Sequence, residues 1–212
     1  KESDMRKLIL LLCTALAITA ASAQVKRTAK EQKIIDQAIK ANTVGNFDEA
    51  ITLYKKYLKK KPADSEIICY MGNSYYNKKE YETALECYKK AIEKKPDNAN
   101  AHYNMGKCYT QLNDIGNAID AYEDAVKFNK SYSSAYYNLG NIFRRMYNYR
   151  KAIEYYEKAI YFSPKSADSY VNMGACYGEL HDEQKMLKCY RKAAELGDKE
   201  TKQWLKDNGF DN

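Results

Sequence analysis

Apolar and polar positions along this chain follow the 3.6-residue period of amphipathic helices, and the pattern restarts at a fixed interval. Gly72, Gly106, Gly140 and Gly174 stand 34 residues apart, as do Ala50, Ala84, Ala118 and Ala152. Tyr54, Tyr88, Tyr122, Tyr156 and Tyr190 form a third column, Ala91, Ala125, Ala159 and Ala193 a fourth, and Pro62, Pro96 and Pro164 a fifth with one gap. Five coincident columns make the interval a structural repeat. Each unit predicts a first helix (A) of about 14 residues, a short turn, a second helix (B) of similar length and a proline-marked or polar turn. The frame gives units at 31–64, 65–98, 99–132, 133–166 and 167–200.

One stretch lacks a polar face. From Met5 the chain reads MRKLILLLCTALAITAASA, with Arg6 and Lys7 before an apolar run from Leu8 to Ala21 and the small residues Ala21-Ser22-Ala23 behind it. A bilayer span needs about twenty apolar residues, so the run is too short for one and fits a signal peptide cleaved after Ala23. Residues 1–4 precede the start methionine of that segment, and 24–30 are expected to be a linker. Cys13 follows Leu12 rather than a small residue, which argues against a lipid anchor.

The segments YMGNSYY, YNMGKCY, YNLGNIF and VNMGACY, each followed by a second helix such as ALECYKKAIEKKP or AIEYYEKAIYFSP, resemble the tetratricopeptide repeat (TPR) from residue 31 to about 200. The resemblance implies an all-α, right-handed superhelical solenoid of about five repeats. Glycine in a helix interior costs up to about 1 kcal/mol relative to alanine, so its recurrence demands close helix crossing. The early alanine of helix B is expected opposite it. The tyrosines of helix B, with Tyr75, Tyr109, Phe143 and Tyr177 of helix A, are expected to fill the space between units. Three departures mark the ends. Ala38 replaces the glycine in unit 1, and Met186 replaces the small alanine in unit 5, which suggests looser packing there. Residues 199–212, with Trp204, read as a capping helix and tail.

Composition narrows the chemistry. The chain of 212 residues is 45% apolar with only 3 prolines, which excludes a disordered protein. Its charge of +7, or +6 without the first 23 residues, is spread over alternating lysines and glutamates, so no nucleic-acid partner is expected. No two cysteines have C-x-x-C spacing, and Cys69, Cys87, Cys108, Cys176 and Cys189 fall on helix faces as packing residues. Were any pair to bridge, it would be Cys87 with Cys108, on adjoining helices. His102 and His181 lack companions at metal-ligand spacing, and phosphate-loop, dinucleotide and nucleophile-elbow motifs are missing. No cofactor, metal or catalytic activity is expected.

The resemblance implies that the A helices line the concave face. Its candidate binding residues are Tyr70, Asn73, Tyr76 and Asn77 in unit 2 and Tyr103, Asn104, Lys107 and Gln111 in unit 3. Tyr137, Asn138, Asn141, Arg144 and Arg145 follow in unit 4, and Asn172 in unit 5. Tyrosine supplies rigid contact area, asparagine both donates and accepts, and arginine pairs with carboxylates. This suits a polypeptide segment with acidic character, although asparagines at these positions also brace packing in the family. The basic residues of the family's chaperone-carboxylate clamps are absent, with Cys69, Ser134 and Asn138 in their places. The expected function is an exported bacterial adaptor, periplasmic or secreted, that binds a protein in its groove without turnover. The alternative is a scaffold component of a pilus or outer-membrane assembly that uses its convex or terminal surfaces.

Overall fold

The computed structural model describes residues 27–210; the expected signal peptide lies outside them. Eleven helices and no strands are present among the described residues. They form five pairs: α1 (Ala29–Thr43) with α2 (Phe47–Leu58), α3 (Ser65–Asn77) with α4 (Tyr81–Lys94), α5 (Ala99–Gln111) with α6 (Ile115–Phe128), α7 (Ser133–Arg145) with α8 (Tyr149–Phe162), and α9 (Ala167–Glu179) with α10 (Glu183–Glu195). A last helix, α11, spans Lys199–Asp207. Every helix packs on the next, which makes the array an α-solenoid. The first helices of neighbouring units also touch, α3 with α5 and α7 with α9, while no two second helices pack to that extent. The first helices therefore line the inner side.

Local signals place the helix ends. Thr28 and Glu31 form a reciprocal capping box, so α1 starts at Ala29, two residues inside the expected linker. The side chains of Asp64, Asn98, Asp114, Asn148, Asp182 and Asp198 each accept from a backbone N–H of the turn they open. At the A-to-B turns the chain passes through the left-handed region at Gly45, Lys79, Asn113, Tyr147 and His181, again 34 residues apart. The Glu80 N–H then reaches back to the Tyr75 carbonyl at 3.0 Å and the Lys79 N–H to that of Tyr76 at 2.8 Å, which closes the last turn. Gly45 suits that backbone without strain, and Asn113 tolerates it. Tyr147, at φ 59°, holds it with a large side chain.

The repeated glycines face a different partner from the one expected. A Cβ at Gly72, Gly106, Gly140 or Gly174 would lie 2.6–2.7 Å from the ring of Tyr88, Tyr122, Tyr156 or Tyr190, so it is the tyrosine of the unit's own second helix, not its alanine, that fills the space. The ring lies flat on the bare backbone, and a methyl group there must push it away. In unit 1 the seat is taken by Ala38, wholly buried in the same cluster as Tyr54. Met186 likewise does not leave the fifth pair loose. Gly178 lies against it, with a Cβ position 3.1 Å from the Met186 sulfur, so a large residue meets a small one and volume is kept.

At the C-terminal end Trp204 meets Tyr190 edge-on at 5.1 Å and stacks on Phe210 at 6.1 Å, while Leu205 and Thr201 are buried against the fifth unit. The helix thus covers the apolar side of α10. No described helix is long and apolar enough to cross a membrane.

Candidate functional site

The inner face is built from columns of the A helices. In one column Asn104, Asn138 and Asn172 each reach back to the preceding unit. Their amide nitrogens donate to the Cys69 sulfur at 3.8 Å, the Tyr103 hydroxyl at 3.4 Å and the Tyr137 hydroxyl at 3.0 Å. In a second column Asn73 and Asn141 turn towards their own second helix, where Oδ1 accepts from the Tyr88 hydroxyl at 2.8 Å and the Tyr156 hydroxyl at 2.7 Å. Both were expected among the binding residues of the concave face. A buried phenol hydroxyl needs an acceptor, and the carboxamide supplies it. The asparagines are thus engaged in bracing.

Unit 3 breaks the second column with Lys107, and the Tyr122 hydroxyl turns to Thr110 instead, at 3.4 Å. The Lys107 ammonium sits 4.3 Å from the centre of the Tyr76 ring and 6.0 Å from that of Tyr103. Burial pulls its pKa below the ordinary lysine value, and no carboxylate pairs with it among the described residues. Tyr103 stacks on Tyr132 at 4.7 Å. Tyr76, Tyr103, Tyr132 and Lys107 form one aromatic wall with a cation against it.

One unit on, Arg144 is half-buried, with its Nε out of solvent and without a hydrogen-bond partner among the described residues. No carboxylate pairs with it either. Two cations in successive units thus lack acidic partners.

The remaining candidates lie apart. Tyr70 donates to Glu66 at 2.8 Å and packs beside Tyr54 at 6.4 Å. Asn77, Gln111 and Arg145 are the exposed final residues of α3, α5 and α7, so they stand at the edge of the groove, by the A-to-B turns. Tyr132 was missed because it lies in a turn; its signal is an aromatic where the other units carry the capping residues Asp64, Asn98 and Ser166.

The thiols are inert packing groups. The five among the described residues are free and buried, Cys87 and Cys108 included, and burial pushes Cys69, Cys87, Cys176 and Cys189 up to about 11 and Cys108 up to about 12. His102 stacks on Phe128 at 5.1 Å and hydrogen-bonds the Pro96 carbonyl at 2.9 Å, a structural role.

Sequence models of the tetratricopeptide repeat match residues 72–110 and 106–146, 133–166 and 155–202. No curated protein matches the sequence. Among solved structures, a crystal structure of MamA is 33% identical, with 78% of this chain and 96% of that one covered and a TM-score of 0.69. Residues 41 to the end of MamA from Desulfovibrio magneticus RS-1 are 21% identical over 81% of this chain and 97% of that one, at a TM-score of 0.69. YrrB, described as a TPR protein with an unusual peptide-binding site, is 22% identical over 82% and 90%, at 0.65.

Proposed function

The chain belongs to the tetratricopeptide repeat family, a protein-binding scaffold fold, and from that we propose that it is an adaptor whose inner face holds an acidic polypeptide segment. One observation supports this reading: Lys107 and Arg144, half-buried on that face, have no carboxylate partner among the described residues. A partly desolvated cation has already lost much of its water, so a carboxylate brought to it gains about 1.5–3 kcal/mol per charged hydrogen bond. The wall of Tyr76, Tyr103 and Tyr132 offers rigid rings beside Lys107 for an apolar side chain of the same segment. YrrB binds peptide on the same fold at 22% identity, which supports the fold's capacity and nothing finer.

The segment from Met5 to Ala23 adds a proposed location. With Arg6 and Lys7 ahead of an apolar run and small residues at its end, it directs export and is removed after Ala23, so the adaptor works in the periplasm or outside the cell. Intact mass of the protein from fractionated cells tests this. A chain that stays in the cytoplasm with residues 5–23 attached refutes it.

The groove is tested by affinity capture from native envelope extract with Lys107→Ala/Arg144→Ala beside the unaltered chain, after circular dichroism confirms equal helix content. The expected result is a drop of at least tenfold in recovery of an acidic partner. Unchanged recovery of the same partners sinks the groove reading and favours a scaffold that works through its outer or terminal surfaces.

A further inference from the structure

A cleft of about 370 Å³ opens on the A-to-B turn edge between units 4 and 5, away from the inner face, lined by Arg150, Ile153, Tyr177, Leu180, Asp182 and Lys185. We propose that it is a second docking site, for a partner polypeptide that carries a large apolar side chain next to an aspartate or glutamate.

Comparison with the same place one joint from the other end supplies the argument. Between units 1 and 2 the positions of Arg150 and Leu180 hold Asp48 and Lys78. There Lys78 Nζ bridges Asp48 at 2.7 Å and Glu80 at 2.8 Å, so the joint closes itself with an ion pair across the units. Between units 4 and 5 both members are exchanged. The acid has become Arg150, and the cation that should meet it has become Leu180, 37% exposed. The Asp182 carboxylate lies with the Lys185 ammonium at 2.8 Å and makes no ion pair with Arg150 among the described residues. Glu179 accepts from the Tyr149 hydroxyl at 3.2 Å, and Glu154, one turn further along α8, makes no ion pair.

The result is a guanidinium without an ion-pair partner among the described residues, at the rim of an apolar floor of Ile153, Tyr177 and Leu180, with the Lys185 ammonium 5.2 Å from the Tyr177 ring. Arg150 and Ile153 are three apart on one helix, so their side chains start about 5–6 Å from each other. A ligand that uses both must carry its carboxylate and its apolar group on the same or neighbouring residues. One unit back on the same edge Met146 is 53% and Tyr147 79% exposed.

The test is a nuclear magnetic resonance titration of the full chain with the capped peptide acetyl-Gly-Phe-Asp-Gly-amide. Saturable amide shifts confined to the start of α8 and the α9–α10 turn are expected, with a Kd below about 1 mM. The Phe-to-Ala and Asp-to-Asn versions of the peptide should bind at least fivefold more weakly. R150D should abolish the shifts, whereas Lys107→Ala/Arg144→Ala should leave them intact. Should R150D affect the fold, Arg150→Gln serves as a second variant with the same expectation. The proposal falls if the Asn peptide binds as well as the Asp peptide, if Arg150 variants bind normally, or if no saturable shifts occur there. It also falls if the same amides shift with protein concentration alone, since the occupant would then be a second copy.

Discussion

The joint between units 1 and 2 and the joint between units 4 and 5 share one apolar plan and differ in their polar edges. In both, a tyrosine of the second helix lies on a small residue of the first: Tyr54 with Ala38 and Tyr156 with Gly140. At the first joint both edges are clipped. Asp64, 2% exposed, accepts from the Tyr57 hydroxyl at 2.6 Å and from Arg27 at 3.1 Å, and Lys78 spans to Asp48 on the opposite edge. At the later joint Ser166 and Ala159 replace Asp64 and Tyr57, and a second cleft of about 200 Å³ opens among serines of α7 and α9. The inner-face contact of Asn172 with Tyr137 and the Tyr149–Glu179 bond still tie units 4 and 5. What the difference teaches is that the apolar columns build the solenoid, while variable edge residues decide where it is sealed and where it stays accessible.

The largest expected effect is at Asp64. Its removal by Asp64→Ala leaves the buried Tyr57 hydroxyl without its acceptor, reduces Arg27 to its pair with Glu66 at 2.6 Å and uncaps α3, and should cost about 3 kcal/mol in urea unfolding. Ser166→Ala at the later joint, where no side-chain cap bond exists and only the 2.8 Å hydroxyl contact with Ser169 is lost, should cost about 1 kcal/mol or less. Equal losses would erase the distinction between the joints.

Next in size is the small-residue seat. Gly140→Ala places a methyl 2.6 Å from the Tyr156 ring and should destabilise by about 1–3 kcal/mol. Ala38→Gly should cost about 1 kcal/mol, because unit 1 already holds a methyl there and loses helix propensity without it. Thermal melts of the two variants check both, and a harmless Gly140→Ala would show that the ring has room to move.

The smallest effect belongs to the exchange of edges. Asp48→Arg with Lys78→Leu gives the first joint the pattern of the later one, and since the Asp48 side chain is 81% exposed the loss should stay under about 1 kcal/mol. It should vanish in 1 M salt, which screens the pair in the unaltered chain. A loss that survives salt would assign the effect to packing.

Much of this was legible in the sequence. The 34-residue columns predicted the helix pairs, because periodic burial leaves a periodic record. The C-terminal cap was equally readable at Trp204, since an end unit must hide its apolar side. Partner choice inside the helices was less so. The glycine columns announced a close crossing, but spacing could not say whether the alanine or the tyrosine eight residues from the start of helix B would lie on them. The candidate binding residues were over-collected for the same reason. Asn104, Asn138 and Asn172 belong to hydrogen bonds with the preceding unit, which only the superhelical offset brings near, and Asn73 and Asn141 to hydrogen bonds with their own second helix, which only the crossing of the pair decides.

By itself, then, the sequence determined the repeat, its family and the helix-turn-helix order of each unit, since periodicity and turn chemistry are local. Only the tertiary structure decided which charges are left over. Lys78 is paired and Arg150 is not, Lys107 leans on Tyr76 without a carboxylate, and Asp64 reaches back to Arg27 across 37 residues. Such facts depend on distances between units, which a short-range electrostatic interaction samples steeply and a list of residues does not contain.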